Sequence, residues 1–341
     1  MKTTTSSRIQ RYLIRTAILL IMVALIVGTA GFDGARGSLL RPPYQNSPPQ
    51  NLEIWTWYDL DAVRSNLGGN HTLMNDLDFT TAGYDELASR TANEGRGWDP
   101  IGFVETIFWD DMCGGGSYEN WYGLNGTFDG QGYEIRYLFI DRLDESDVGL
   151  FRIVNEGGVI RNIAAVHVTV IGAYYVGSLV GRNRGTVSNS YSSGEVTGGQ
   201  WGVGGLIGGL FETMESGGGA VDNSYSACDV FGNGAVGGLV GWNGFTVTNS
   251  YSTGDVGGSN DVGGLVGKND GTVNNSFWDT ETSGQATSSG GTGKTTGEMQ
   301  DIATFSGAGW NIAAVALNET NPAYIWNIVN NATYPFLGWE S

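Results

Sequence analysis

Along residues 237–258, GGLVGWNGFTVTNSYSTGDVGG, apolar residues come in short bursts separated by glycine. Val247, Asn249 and Tyr251 alternate with Thr246, Thr248, Ser250 and Ser252, the period-two pattern of a half-buried strand. Three short strands are predicted in this stretch: around Leu239-Val240, over Thr246–Tyr251, and at Asp255-Val256. Glycines between them suit tight corners, because they reach backbone angles other residues avoid. Helical periodicity is missing from the stretch.

The pattern recurs. Val148, Val176, Val203, Val236 and Val262 each open a copy, at steps of 28, 27, 33 and 26 residues. A period in this range predicts stacked supersecondary units, none of which buries its apolar side alone. The long step contains seven extra residues within Phe211–Gly219, expected as a loop extruded from one face. Stacking turns each repeat position into a column with a spacing of about 4.8 Å. One column holds Asn162, Asn189, Asn223, Asn249 and Asn275; another holds Tyr191, Tyr225, Tyr251 and Phe277. Both are expected to be structural, as a self-bonding amide ladder and a ring stack.

The flanks read differently. Trp57–Leu67 has amphipathic helical spacing and is expected to cap the first coil, with a strand over His71–Phe79 and a corner at Gly97–Gly102. The aromatic-rich stretch Trp310–Trp339 is expected to cover the last coil.

The phrase G-G-L-V-G-x-N-x-G-T-V-x-N-S-Y-S-T-G-x-V resembles the GLUG repeat, which occurs in secreted and surface proteins, adhesin-like chains and regions beside IgA-cleaving peptidases. Four copies over Val176–Gly284 match closely, and Val148–Val170 matches loosely. GTFDGQGYEI (126–135), FWDTETSGQ (277–285) and the later GEMQDIATF, IWNIV and YPFLGW resemble the flanks of such proteins. The resemblance implies an all-β, right-handed parallel β-helix-like solenoid with terminal caps, and it implies no particular reaction.

Composition fits a folded, turn-rich chain: 56 of 341 residues are glycine, with 11 Trp. Formal net charge is −18, and residues 1–30 contribute only cations, Lys2, Arg8, Arg11 and Arg15. An acidic surface repels phosphate backbones, so nucleic acid is excluded as an expected partner. The basic start, the apolar run Ala17–Val27 and the small residues 28–30 follow the plan of a signal peptide, or of an uncleaved anchor giving the only membrane contact. Residues 31–50 form a Pro-rich linker, 51–121 an N-terminal flanking region, 122–284 the solenoid and 285–341 a C-terminal cap region. Cys113 and Cys228 read as unpaired thiols, with a bridge as the alternative.

Candidate chemistry is sparse. Only His71 and His167 are present, and neither H-E-x-x-H nor G-x-S-x-G occurs. GGTGKTT (290–296) lacks the spacing of a phosphate loop and reads as a flexible turn. Glu195, Asp229, Asp255 and Glu281 occupy equivalent positions, a possible column for weak Ca²⁺ binding or a solvated acidic face. Trp109, Asp110, Asp111, Tyr118, Trp121 and Tyr122 combine rings and acids as a sugar platform would. Phe211 and Met214 could add a second exposed patch. Sequons at Asn70, Asn125, Asn274, Asn318 and Asn331 matter only where exported chains are glycosylated.

The expectation is a non-enzymatic, extracellular, surface-associated solenoid acting in adhesion, surface structure or binding of a glycan or surface protein. Its rivals are a carbohydrate-active β-helix enzyme and a passive spacer.

Overall fold

Each repeat folds as one turn of a parallel β-helix. The computed structural model describes residues 50–109, 116–211 and 218–340, all within one compact unit, Ser47–Ser341. The expected export segment, most of the Pro-rich linker, Asp110, Asp111, Cys113 and Met214 lie outside the described residues.

Three parallel sheets form the sides. Face A has eight strands, from Leu52–Ile54 through Val159–Arg161, Thr186–Ser188, Ala220–Asp222 and Thr246–Thr248 to Thr272–Asn274. Face B includes the long strands Ala164–Gly172, Tyr191–Gly204 and Tyr225–Gly237. Face C stacks Phe151–Val154, Val180–Asn183, Ile207–Leu210, Val240–Asn243 and Val266–Asn269. One apolar residue per strand then points inward. Ile160, Val187, Val221 and Val247 are in register on face A, and Phe151, Val180, Ile207, Val240 and Val266 on face C, all 0% exposed. At 25 cal/mol per Å² of buried apolar area, columns of this kind are the main stabilising term. Glycine is required where coils touch: a Cβ on Gly181, Gly208, Gly241 or Gly267 would lie within 2.4 Å of backbone in the preceding coil.

The strand expected over Thr246–Tyr251 is two pieces. Thr246–Thr248 ends at Asn249, whose φ is 46°, and the chain restarts at Tyr251 on face B. Asn162, Asn189, Asn223 and Asn275 hold the same left-handed conformation, with φ between 48° and 53°. This corner reverses the alternation, so Val247 faces the core while Tyr251 faces outward. The asparagine column is therefore a column of corners. Its one side-chain step from Asn to Asn is Asn189 Nδ2 donating to Asn162 Oδ1 at 3.3 Å. Buried polar ladders sit elsewhere. Ser190, Ser224 and Ser250 each donate Oγ–H to the carbonyl two residues back, at 2.7–2.8 Å, and Ser276 does the same. The next-coil Oγ accepts the N–H of Ser190, Ser224 and Ser250 at 3.1–3.2 Å. A second asparagine of the repeat, Asn183 and Asn243, is wholly buried and bonds a corner N–H and a neighbouring coil.

Both flanks close the stack. Trp57–Ala62 is a helix with a Thr56/Asp59 capping box, and Trp57, Leu60 and Val63 enter the core. At the other end Trp278 reaches the same core, and Thr292–Lys294 adds a strand beside Phe277–Asp279. GGTGKTT is thus no flexible turn: it supplies that strand and the Thr295 cap of the helix Thr296–Met299.

Trp310–Trp339 does not lie over the last coil. It runs as a strap along the outside of face B, because the tyrosine column there needs cover. Tyr191, Tyr225 and Tyr251 stack with centroids 4.7 and 4.8 Å apart and planes 3° and 5° from parallel. Phe277 continues the register and packs on Phe305 and Trp310. Trp326 covers Tyr225 and Tyr251, and Trp339 covers Tyr191. Together with Met299, Ile312, Ile328 and Leu337 these rings form a second core outside the coil stack.

Candidate functional site

An antiparallel hairpin, Phe103–Trp109 with Gly116–Tyr122, leaves the stack before the first complete repeats. Its register pairs Val104 with Trp121 and Thr106 with Glu119, so alternation puts these four on one side. That side faces the corner between faces B and C, and the two enclose a groove of about 390 Å³. The opposite wall carries Ser146, Asp147, Tyr174, Tyr175 and Arg182, with Glu145 and Arg152 completing the lining. The volume is in the usual range of small-ligand sites, ~300–1,000 Å³.

The corner residues are set by the coil. Asp147 and Tyr175 hold left-handed backbone at φ 58° and 51°, where sister coils place Gly202, Ala235 and Asp261. Arg182 lies in a face C column with Gly209, Trp242 and Lys268. Its Nε donates to Asp147 Oδ1 at 2.8 Å, and its guanidinium is packed among Trp121 (4.0 Å), Phe211 (4.2 Å) and Tyr175 (4.8 Å). Burial pushes the Asp147 carboxyl above its ordinary value, and Arg182 opposes that rise. Glu145 goes the other way. Burial would raise it, but hydrogen bonds from Arg152 and Arg142 hold it below the usual carboxylate range. The ionic walls are therefore fixed in place, with donors and acceptors side by side.

The aromatic surface extends past the groove. Phe211, at the base of the long insertion, sits 4.7 Å from Trp242 and 5.0 Å from Tyr175, both edge-on. Gly209 makes this possible, since a Cβ there would lie 2.8 Å from the Phe211 ring. Trp201 continues the cluster beside Trp242 at 5.7 Å, and Lys268 Nζ lies over it.

The residues picked from sequence do not form one platform. Trp121 lines the groove. Tyr122 stacks on Phe103 at 4.3 Å and donates to Glu105 Oε2, on the far side of the hairpin. Tyr118 is on that side too and is exposed. The Trp109 side chain, Asp110 and Asp111 lie outside the described residues. The acidic column also fails to assemble as a metal centre. Glu195 and Asp229 are in register and exposed, but Asp229 accepts the N–H of Asp255, and Glu281 accepts the N–H of Thr296 at the start of a helix. Among the described residues, no group of three or more His, Cys, Asp or Glu could hold a metal. Cys228 is a free thiol, fully buried and pushed up to about 11 by burial. Sequence reading missed Arg182, Tyr175 and Asp147. Their signal was departure from the repeat: an arginine and a tyrosine where sister coils carry smaller or different residues.

A stack of three-sided parallel coils with an outward aromatic groove defines the class, a repeat β-solenoid. The particular repeat is the GLUG motif, matched at residues 172–197 and 232–257, so the chain carries GLUG repeats. It is 33% identical over 164 residues to halomucin of Haloquadratum walsbyi, which covers 48% of this chain and 2% of that protein. It is 35% identical over 141 residues to a provisionally named Gly-rich membrane protein of Evansella cellulosilytica, covering 40% of this chain and 14% of the relative. The chain thus spans a small part of these relatives. A Bacteroides ovatus protein provisionally titled an immunoglobulin A1 protease shares the fold, with TM-score 0.57, 18% identity, and coverage of 85% of this chain and 92% of that one.

Proposed function

We propose that this chain is an extracellular, surface-associated solenoid that binds a glycan in the groove between the hairpin and the coil corner. The observation that carries the reading is the joining of Trp121, Tyr174 and Tyr175 with the fixed pair Asp147–Arg182 and with Glu119 in one groove. Ring faces pack on the apolar faces of sugars, and the paired carboxylates and guanidiniums offer acceptors and donors to hydroxyls. The coil stack acts as a rigid mount, and the binding chemistry sits on its loops. The N-terminal export pattern and the likeness to a protein named as a membrane protein support placement outside the cell.

The test is retention of the full chain on a glycan array, with the same wells assayed for released sugar. Retention without release is expected, unchanged by a chelator because the acids of the column form no metal-holding group among the described residues. Trp121→Ala is expected to weaken retention roughly tenfold, the equivalent of about 1.4 kcal/mol of ring contact. Sugar release would replace this reading with the enzymatic one. Failure of every glycan to bind would overturn the binding role.

A further inference from the structure

Acids outnumber bases 35 to 17 in this chain, so a cation without a counter-ion is unexpected. Ten of the eleven described Lys and Arg side chains have a carboxylate or hydrogen-bonding partner: Arg64, Arg96, Arg136, Arg142, Arg152, Arg161, Arg182, Lys268 and Lys294 in ion pairs, Arg90 on the Thr169 hydroxyl. Arg184 is the exception. Its Nε is buried and makes no hydrogen bond, and its guanidinium rests 5.3 Å from the Trp121 ring that Arg182 also contacts. The backbone there is pinned: Arg184 N donates to Val154 O at 2.8 Å, and Gly185 N to Asn183 Oδ1 at 3.0 Å.

Two guanidiniums two residues apart on one indole repel each other, and only Arg182 has an acid. Asp147, the acid whose charge reaches Arg184, is committed to Arg182. Burial and Arg182 together pull Arg184 below its ordinary value, the signature of a cation short of an anion. An unpartnered buried donor of this kind calls for a specific explanation. The residue is half-buried, and its guanidinium lies against the Trp121 ring that lines the groove, so a ligand seated there lies beside it.

We propose that Arg184, with Arg182 and Trp121, forms an anion subsite that receives the carboxylate or sulfate of an acidic polysaccharide whose sugar ring occupies the groove. The inference rests on the glycan reading above and narrows it to acidic chains. A planar guanidinium bonds a carboxylate or sulfate bidentately, which is the geometry this position leaves open. The chain's overall negative charge works against such ligands at long range, so recognition depends on this local pair and weakens with salt.

The experiment prints hexuronic-acid oligosaccharides beside their methyl esters, and sulfated beside desulfated chains, and probes them with the full chain and with Arg184→Gln. Acid forms are expected to bind about tenfold more tightly than their esters at low salt, the worth of a charge-assisted hydrogen bond. R184Q is expected to erase that difference, leave ester binding unchanged and leave the melting temperature no lower than wild type. Preference for the carboxylated or for the sulfated series identifies the anion. Equal binding of acid and ester, a preference that survives R184Q, or a drop in melting temperature showing a structural role, would each overturn the subsite alone. Failure of both acids and esters to bind would overturn the glycan reading beneath it.

Discussion

At the residue scale, one position in each coil does conformational work. Asn249 and its four counterparts turn the chain from face A to face B in the left-handed region, where asparagine and glycine are tolerated and a Cβ-branched or plain side chain is strained. A hydrogen-bonded amide ladder and a corner make opposite predictions. If Asn249 served mainly as a ladder rung, glycine and alanine would harm equally, since both delete the amide. As a corner, Asn249→Ala should destabilise by about 1 kcal/mol while Asn249→Gly stays within a few tenths. Denaturant midpoints of the two variants decide the matter, and equal losses would restore the ladder. The serine between the corner asparagine and the column aromatic is a truer ladder. Ser250 is fully buried, donates to Thr248 O and accepts from the Ser224 N–H, so it closes its own polar account without water.

At the scale of elements, the strap over face B sets how the molecule responds to pH. Glu340, near its end, is half-buried against the tyrosine stack: Tyr225 donates to Oε2 at 2.9 Å, and Leu337 N donates to Oε1. Burial pushes its carboxyl up to about 7 from an ordinary value of 4.5, the two hydrogen bonds opposing and nearby Glu134 adding to the rise. A carboxyl raised in the folded state binds a proton there that the unfolded chain has already released. Stability from this group is therefore highest below about pH 4.5, falls as pH climbs towards 7, and levels off above it. Glu340→Gln should remove that slope, worth roughly 2–3 kcal/mol across the window. Melting temperatures of both proteins at pH 5 and pH 8 test it, and parallel profiles would sink the assignment. The strap also shows where sequence reading stopped. The coils were legible because one sentence repeated five times fixes which residues must align. The strap occurs once, has no period, and packs on column rings from 33 positions earlier (Trp310 on Phe277) to 148 (Trp339 on Tyr191), so nothing local marks its destination. Asn249 misled for a related reason: alternation through Val247, Asn249 and Tyr251 reads as one strand, and only a left-handed corner lets Val247 point in while Tyr251 points out. The groove was half visible, Trp121 being noted for its ring, while Arg182 and Tyr175 looked like ordinary variation between copies.

At the scale of the whole molecule, the strap and the coils count the same length in different ways. Coils are added by repetition, each resting on its neighbours, so stability grows roughly with coil number. The strap has a fixed span: Phe305 and Trp310 sit at Phe277, Trp326 at Tyr251 and Tyr225, and Trp339 and Glu340 at Tyr191 and Tyr225. Duplicating Val236–Asp261 inserts one coil in register, because Val236 pairs with Val262 in the next coil. The enlarged stack should fold, since every new strand meets the partner its sequence already matches. It should also move Tyr191 about 4.8 Å further from Phe277, beyond the reach of a strap anchored at both ends. The expected outcome is a parallel β spectrum with undiminished cooperativity, but a C-terminus newly open to protease and a melting temperature that has lost the pH dependence due to Glu340. A duplicated chain that keeps its C-terminus protected and its pH slope would show that the strap slides along the tyrosine column. The rings would then be a uniform track, and the strap no measure of coil number.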